Sequence, residues 1–495
     1  MSYLRIRASA ASTKGHVREV LSIVTVSGAV GGAIALWSST RSVEEIWLAV
    51  LWVAWVASIL WTITRRPLSL AFSGLLGLML LYVVLPATIA VATGRAVIAG
   101  IDYTAGAVQA LQLSCLAQVW LLLGAAAVRA AGRQTPRFVR VGVRLSPQLL
   151  ERLAAGSLVV AFVALILLIV ESGADPGKFV ALTPESSYGE FDRSASVATS
   201  GYLVSMMGAA GVTLILIVVR FAQRQSDGLK VSAVLLISAT LLLAASGQRQ
   251  RLLVPMIAAG LMWWKTKRGA QLDPPGSWAV AVVGITAIVA LSAVIGVARS
   301  PGERQLSADN LWSVQFGEGS DLFSPLAGLA ASVPAATGFL HGASYLDAIV
   351  IVVPRALWPD KPTASITDLT ATFADVRNGI AFPEFGEFYA NFGVLGVGLG
   401  SAAFGAAIEY TWLRFAATRE LHKSLWLAVL TAGLLQVFTR GYAVGQLAGL
   451  LGLLIATGVS ARRVHGATDR DATDPVSSPE KDLTNRLVER TEDAG

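Results

Sequence analysis

The sequence predicts an all-α fold, that of a polytopic membrane protein with about twelve transmembrane helices and a large extracytoplasmic loop. Its 495 residues are 54% hydrophobic and 14% charged, whereas an ordinary soluble domain is about 25% charged. The chain also contains many separate apolar runs of about 18 to 25 residues, each long enough to cross a bilayer as a helix. Backbone groups inside lipid must pair within their own segment, so we expect these runs to be helices.

The predicted spans follow one another along most of the chain. They are 20–38, 46–64, 67–92, 104–128, 153–171, 200–220, 229–246, 252–264, 277–297, 392–413, 424–439 and 442–460. The chain begins with a polar, basic stretch, so no cleavable signal peptide is expected. Cys115 is the one cysteine and falls within an apolar run, which excludes a disulfide within the chain.

Basic residues predict the orientation of the spans. If the N-terminus is cytoplasmic, 27 of the 39 Lys and Arg residues fall in cytoplasmic segments. Membrane proteins carry an excess of Lys and Arg in their cytoplasmic loops. We therefore predict a multi-pass protein of the cytoplasmic (cell) membrane with both termini in the cytoplasm.

This orientation divides the chain into five regions. They are a cytoplasmic N-terminus (1–19), spans one to nine (20–297), an extracytoplasmic loop (298–391), spans ten to twelve (392–460) and a disordered cytoplasmic tail (461–495). Long loops are usually functional or disordered. The large loop contains apolar patches at 322–340 and 345–357, which we interpret as re-entrant or interfacial helices packed on the bundle.

Several cations are predicted on the outer face, against the general trend. Arg249 and Arg251 follow span seven, Arg440 lies between spans eleven and twelve, and Arg355 and Lys361 lie in the large loop. Guanidinium groups bind phosphate oxygens in bidentate fashion, so a basic outer pocket would suit an anionic lipid headgroup. The alternative is that each arginine caps a helix or extends to lipid phosphates.

The candidate catalytic residues are two carboxylates that precede span ten, Glu384 and Glu387. Transfer of a sugar to a hydroxyl needs a general base, and a carboxylate shielded from water can serve. The alternative is that Glu387 caps span ten or pairs with an outer arginine. Trp358 and Tyr389 could stack on sugar rings or belong to an interfacial aromatic belt.

The sequence offers no pattern for a metal or a nucleotide. No Asp-x-Asp pair occurs in a predicted outer loop, and no Walker loop is present. We therefore expect no metal site, no cofactor, no nucleic-acid partner and no ATP-driven transport by this chain alone.

Three short motifs resemble the Wzy-type O-antigen and exopolysaccharide polymerases, the oligosaccharide repeat-unit polymerase family. The motifs are Ser246-Gly247-Gln248-Arg249, the string PRALWPDKP at 354–362 and the string GEFYANFGVLG at 386–396. The layout is also similar, with about a dozen spans and a large extracytoplasmic loop late in the chain. The resemblance covers about 245–463, and the first half of the chain matches only in being apolar.

The resemblance implies a glycosyltransferase that uses a polyprenyl-diphosphate-linked donor. The growing glycan would be transferred to a lipid-linked repeat unit at the outer face of the membrane. Arg249, Arg355, Lys361 and Arg440 would bind the diphosphates, and Glu387 would be the base or would position the acceptor. Implied partners are lipid-linked oligosaccharides and the bilayer, with a flippase and chain-length regulators as further candidates.

Two other functions remain open from the sequence. Twelve spans with both ends inside is a common plan for a secondary transporter, which here could move a lipid-linked sugar as a flippase does. Transporters tend to show similar halves and broken helices at the midplane, and neither is evident in this sequence. A ligase that moves glycan from the same lipid carrier to another acceptor is a closer alternative.

Overall fold

The computed structural model shows a mostly helical protein, as the composition predicts. The residues it describes are 42–64, 69–98, 101–132, 146–171, 203, 205–223, 229–245, 249–267, 321–353, 357–358, 360, 362, 365–373 and 381–473. The predicted spans 20–38 and 277–297 lie outside them, as do Arg355 and Lys361.

Fourteen helices are numbered here in chain order, with one small antiparallel hairpin of strands, β1 (Val97–Ile98) and β2 (Ile101–Asp102). The helices are α1 (Val43–Thr64), α2 (Leu70–Thr93), α3 (Ala107–Ala131), α4 (Pro147–Glu171), α5 (Ala210–Ala222), α6 (Leu229–Ala245), α7 (Arg249–Lys267), α8 (Phe323–Ser332), α9 (Ala343–Val352), α10 (Ser365–Thr370), α11 (Glu384–Ala417), α12 (Leu421–Arg440), α13 (Ala443–Gly449) and α14 (Leu451–Thr473). Helix α2 contains a π-helical turn at Leu80–Val84.

Six of the described helices are long and apolar enough to cross a membrane. They are α1, α2, α3 with its preceding turn, α4, α11 and α12. Helices α5 and α6 are apolar but shorter, and α7 carries charged residues in both its first and last turns. The predicted last span is interrupted at Leu450, between α13 and α14. The structure therefore supports a helical membrane protein, while the count of twelve spans remains a prediction.

Helix α11 consists of two limbs that meet at Gly393. This glycine has φ 64° and ψ −154°, which is not a helical conformation. A Cβ placed on Gly400 would collide with the ring of Phe388, and one on Gly396 would collide with the Phe388 carbonyl. In a straight helix Phe388 and Gly400 would be about 18 Å apart. The first limb (384–392) therefore folds back against the second (394–417), and the two small residues allow the close approach.

The reversal gives a prediction for Gly393→Ala. The backbone region occupied by Gly393 is almost restricted to glycine, and strain of this kind costs about 1–3 kcal/mol. We expect the variant to unfold at a lower denaturant concentration in an SDS titration of the detergent-solubilised protein. Gly260→Ala in helix α7 is the matched control, because nothing lies within 4 Å of the added methyl group. Equal stability of the two variants would contradict the strained reversal.

One end of the bundle is defined by Lys265 and is called the Lys265 end. The Lys265 ammonium donates to the carbonyl of Phe415 near the end of α11. Nearby in sequence, Glu409 accepts from the guanidinium Nε of Arg129 at 2.6 Å, which joins α11 to the last turn of α3. These basic residues were predicted to share the cytoplasmic side, and the assignment of this end to the cytoplasm remains a prediction.

The opposite end is called the Arg440 end. Helix α12 begins just after α11 ends, and its 20 residues span about 30 Å to Arg440. Helix α7 packs along α12, and Arg251 lies 14 residues before Lys265 in that helix, about 21 Å away. Arg251 and Arg440 are therefore at the same end of the bundle.

Two predicted region boundaries need correction. The loop was expected to continue to residue 391, but its last residues already form the first limb of α11. The tail was expected to be disordered from residue 461, but α14 continues to Thr473. Hydropathy predicts the limits of the apolar segment, whereas a helix can continue beyond those limits until its backbone hydrogen bonding is interrupted. In the two apolar patches of the loop, helices α8 and α9 are present.

Candidate functional site

The first limb of α11 carries two buried carboxyl groups. Glu384 and Glu387 are one turn apart, so they share a helix face, and both side chains are fully buried. The limb begins after Pro383, whose ψ of 156° is extended. Both acids therefore lie in the first turn of a helix, where the dipole favours negative charge. The charge of Glu387 acts on Glu384, so the two carboxyl groups lie close together.

Glu387 is held from two sides by donors. Its Oε1 accepts from the Ser344 hydroxyl at 2.5 Å, and its Oε2 accepts from the backbone N–H of Ala443 at 3.1 Å. Asn391, four residues further along the same limb, donates through Nδ2 to Ser344 Oγ and to the Glu387 carbonyl, both at 2.8 Å. Helix α9, the first limb and the turn after α12 thus meet at one carboxylate.

The segment before α9 is anchored on the end of the first limb. The helix stops at Gly393, so the carbonyls of Ala390 and Asn391 lose their usual partners four residues later. Leu340 and His341 supply replacement N–H donors at 2.8 and 3.1 Å. The N–H of Gly342 donates to the Asn391 side chain at 2.9 Å. The reversal is therefore the reason that α9 starts beside the carboxylates, since buried backbone groups need partners.

Helix α9 adds a phenol and a third acid. The Tyr345 hydroxyl donates to Glu384 Oε1 at a long 3.4 Å. Burial and the negative charge of Glu384 raise the pKa of Tyr345. Asp347 is 4% exposed and accepts from the backbone N–H of Ser365 at 2.9 Å and from its hydroxyl at 3.2 Å. Burial raises the pKa of Asp347 despite those two hydrogen bonds.

Tyr442 lies at the same place, in the turn between α12 and α13. It has a positive φ of 53°, which is uncommon for a residue other than glycine. The charges of Asp347 and Glu387 both act on its hydroxyl. The hydroxyl is buried and has no hydrogen-bond partner among the residues that the structure describes. We call Asp347, Glu384, Glu387 and Tyr442 the acidic cluster.

Of the predicted cations, Arg440 lies nearest to the acidic cluster along the chain. It ends α12, and three residues later the Ala443 N–H donates to Glu387. Arg251 is buried at the same end of the bundle. Arg249 begins the same helix, α7. These residues come from turns far apart in sequence, and the structure gathers them at one end.

The two aromatic residues predicted to contact substrate differ in exposure and in their described contacts. Trp358 is 40% exposed and lies in the segment after α9, whereas the glutamates are fully buried. Tyr389 is buried on another face of the limb, where its hydroxyl donates to the Val333 carbonyl at 2.9 Å. The same hydroxyl accepts from Gln109 of α3 at 2.5 Å. Tyr389 therefore joins the limb to two other elements.

This placement predicts that Tyr389→Phe affects stability more than activity. Two buried hydrogen bonds are lost, and each contributes about 0.5–1.5 kcal/mol. We expect a lower melting temperature and unchanged activity when expression is matched. Phe388, which packs between Tyr345 and Phe404, offers a control, since Phe388→Leu should also lower stability. Loss of activity in Tyr389→Phe without destabilisation would instead support direct substrate contact.

Sequence reasoning missed Ser344 and Tyr442 and gave Asn391 no role of its own. Helical spacing could have found Asn391, since residues 384, 387 and 391 share one face of a helix. That pattern was hidden because the segment was interpreted as loop. Ser344 and Tyr442 have no local signal, since their roles arise from contacts across long sequence separations.

No family model, no curated protein and no solved structure matches this chain.

Proposed function

We propose that this protein is a membrane glycan polymerase. In this proposal it transfers a polyprenyl-diphosphate-linked oligosaccharide onto a lipid-linked repeat unit at the outer face of the cytoplasmic membrane. The Arg440 end of the bundle is the outer end, and the acidic cluster is where the acceptor hydroxyl reacts.

One observation carries the proposal. Glu387 is fully buried, and its side chain is hydrogen-bonded by uncharged groups, among them the Ser344 hydroxyl and the Ala443 N–H. A buried carboxylate in that setting can accept a proton. The turn that supplies one of these donors begins with Arg440, a fixed cation. The proposed phosphate-binding cation and a donor to the proposed base therefore belong to one short turn.

The proposed reaction is a nucleophilic displacement. The acceptor hydroxyl gives its proton to the Glu387 carboxylate, and its oxygen forms a bond to the anomeric carbon of the donor sugar. The bond between that carbon and the diphosphate oxygen breaks, and the electron pair leaves with the diphosphate. Arg440 and Arg251 stabilise the charge that develops there, as fixed cations do in a site protected from water. The glycosyl–diphosphate bond supplies the energy.

The decisive experiment is deletion of the gene, followed by gel electrophoresis of the envelope glycans. Loss of long chains with retention of single repeat units is the expected result. Loss of glycan from its final acceptor, with lipid-linked long chains retained, would support the ligase instead. Unchanged glycans would overturn the proposal.

A prediction for Arg440 follows from its role. Removal of a cation that stabilises a leaving group should lower chain extension about 100-fold or more. We expect Arg440→Ala to accumulate single repeat units in the deletion strain while the protein still inserts. Arg440→Lys should retain partial activity because it keeps the charge without the bidentate geometry. The control is Arg414→Ala, an exposed arginine near the Lys265 end, which should retain long chains. Full activity of Arg440→Ala would remove Arg440 from the site.

A second candidate, a transporter of a lipid-linked sugar, is favoured by the interrupted helix. Broken helices with polar groups at the break are a common feature of secondary transporters, and α11 reverses at Gly393 beside the acidic cluster. The two candidates differ in what a deletion strain accumulates. A transporter defect leaves lipid-linked repeat units on the cytoplasmic face, whereas a polymerase defect leaves single units on the outer face. Protection of those units from an added, membrane-impermeant glycosidase separates the two.

A further inference from the structure

The acidic cluster contains buried polar atoms whose hydrogen-bonding capacity is not used. Within the described part of the chain, Glu384 Oε2 meets no donor other than the neighbouring Glu387 carboxyl, although the residue is fully buried. The Tyr442 hydroxyl, on which the charges of Asp347 and Glu387 act, has no partner either. An unmade hydrogen bond at a buried group costs about 1–3 kcal/mol. Such groups in one cluster indicate a ligand that supplies the missing partners.

The chemistry of the unused atoms restricts the ligand. Glu384 lies beside the Glu387 carboxyl, and its Oε2 can accept a hydrogen bond, or donate one when the acid is protonated. The Tyr442 hydroxyl can likewise both donate and accept. A sugar hydroxyl does both. A phosphate oxygen or a carboxylate would only accept, and it would also meet the negative charge of Glu387, the proposed base. The cluster therefore does not suit the diphosphate, which belongs with the arginines.

The cluster can be approached from outside. Tyr345 and Tyr442 are partly buried as residues, while the Tyr442 hydroxyl itself is buried, so the two side chains, and not that hydroxyl, reach the edge of the cluster. The exposed His341 lies one turn before Tyr345. The ring of Tyr345 stacks on Phe392, with 6.3 Å between centroids and 9° between planes. An apolar ring surface beside hydroxyl-binding acids is typical of sites that bind sugars.

We infer that the acidic cluster is the acceptor subsite and that it binds an uncharged sugar through hydroxyl groups, with Tyr442 as a positioning residue. The inference rests on the proposed function and narrows its substrate, because a uronic acid would be excluded from this position. Tyr442 contacts the acceptor hydroxyl and orients it toward Glu387.

The test uses full-length protein in phosphatidylcholine nanodiscs, since glycoside detergents would themselves offer neutral sugars. Saturation-transfer difference NMR is recorded with methyl glucoside, methyl galactoside and methyl mannoside, and with the methyl glucuronide and galacturonide as charged counterparts. We expect a signal from at least one neutral glycoside and none from the uronides. In Tyr442→Phe, affinity for that glycoside should fall about fivefold, the equivalent of one hydrogen bond.

Tyr103→Phe is the matched control. Its hydroxyl is also buried without a partner among the described residues, but only burial acts on it, with no carboxylate charge. Glycoside affinity should not change in that variant. Both variants should keep the wild-type melting temperature, because neither removes a hydrogen bond seen within the described residues.

The outcomes separate this inference from the proposed function. Uronide binding equal to that of the neutral glycosides, absence of any neutral signal, or an unchanged affinity in Tyr442→Phe would each overturn the inference. None of these results changes the gel analysis of the deletion strain. Conversely, the deletion strain could have unchanged glycans while a neutral glycoside still binds the protein in a Tyr442-dependent manner. That combination would support the sugar-binding site and exclude the polymerase function.

Discussion

Glu387→Gln is expected to abolish chain extension, with single repeat units accumulating in a deletion strain that expresses the variant. An amide cannot accept the proton of the acceptor hydroxyl, and general-base catalysis contributes about 10²–10⁴-fold to rate. The amide has nearly the same shape, and its oxygen can still accept a hydrogen bond from Ser344 or Ala443. The fold should therefore persist, and gel analysis of the glycans should show the loss.

Two controls make this result interpretable. Glu420→Gln changes a half-exposed carboxylate that pairs with Lys423 at 2.6 Å, and it should retain long chains. Glu387→Asp keeps an acid but shortens the side chain, so it should retain more activity than the amide. Long chains at the wild-type level in Glu387→Gln would show that Glu387 is not the base. Glu384 would then be the remaining carboxyl on that helix face.

Arg129→Met is expected to cause the largest loss of stability. The Arg129 side chain is 9% exposed and pairs with a fully buried Glu409 at 2.6 Å. Removal of one partner from a buried ion pair costs about 3–5 kcal/mol, because the other charge remains in a medium of low dielectric constant. The guanidinium also lies 5.5 Å from the Trp61 ring centroid. An SDS titration of the solubilised protein should show the shift.

The double variant with Arg129→Met and Glu409→Met distinguishes an unpaired charge from lost packing. Replacement of both partners by apolar side chains is often neutral or stabilising. We expect it to recover most of the stability that the single variant loses. A double variant as unstable as Arg129→Met would instead assign the loss to the packing of the arginine on Trp61. Chain extension should be retained in the double variant, since this pair lies near the Lys265 end.

The position of Glu387 shows how far the sequence could lead toward the site. Its chemistry and its closeness to span ten were predicted from residue type and hydropathy. Its environment was not, because Ser344 and Ala443 are 43 and 56 residues away. The last residues of the predicted loop, 384–391, are in fact helix. Glu384 and Glu387 lower the hydropathy of the first helical turn without interrupting its backbone. Hydropathy therefore placed the start of this helix too late in the chain.

For the cations too, the sequence predicted one part of the arrangement and the structure supplied the other. Residue type and the turns between apolar runs predicted that Arg251 and Arg440 lie on one side of the membrane. The packing of α7 along α12 places them at one end of the bundle. Trp358 and Tyr389 were predicted to contact substrate because aromatic rings often stack on sugars. Residue type alone does not specify which way a side chain points. The helical turn points Tyr389 toward Gln109 and Val333 instead.

By itself the sequence predicted a mostly helical chain with helices long and apolar enough to cross a membrane, and where most of the described helices lie, because hydrophobic length and backbone pairing in lipid are local requirements. Only the tertiary structure decided that α11 reverses at Gly393 and that three acids and Tyr442 meet beside the reversal. Those features depend on contacts between segments distant in the chain, and local hydropathy carries no information about such contacts. The reversal leaves the carbonyls of Ala390 and Asn391 without their helical donors, and N–H groups of the segment before α9 donate to them instead. These hydrogen bonds place α9 beside the acidic cluster.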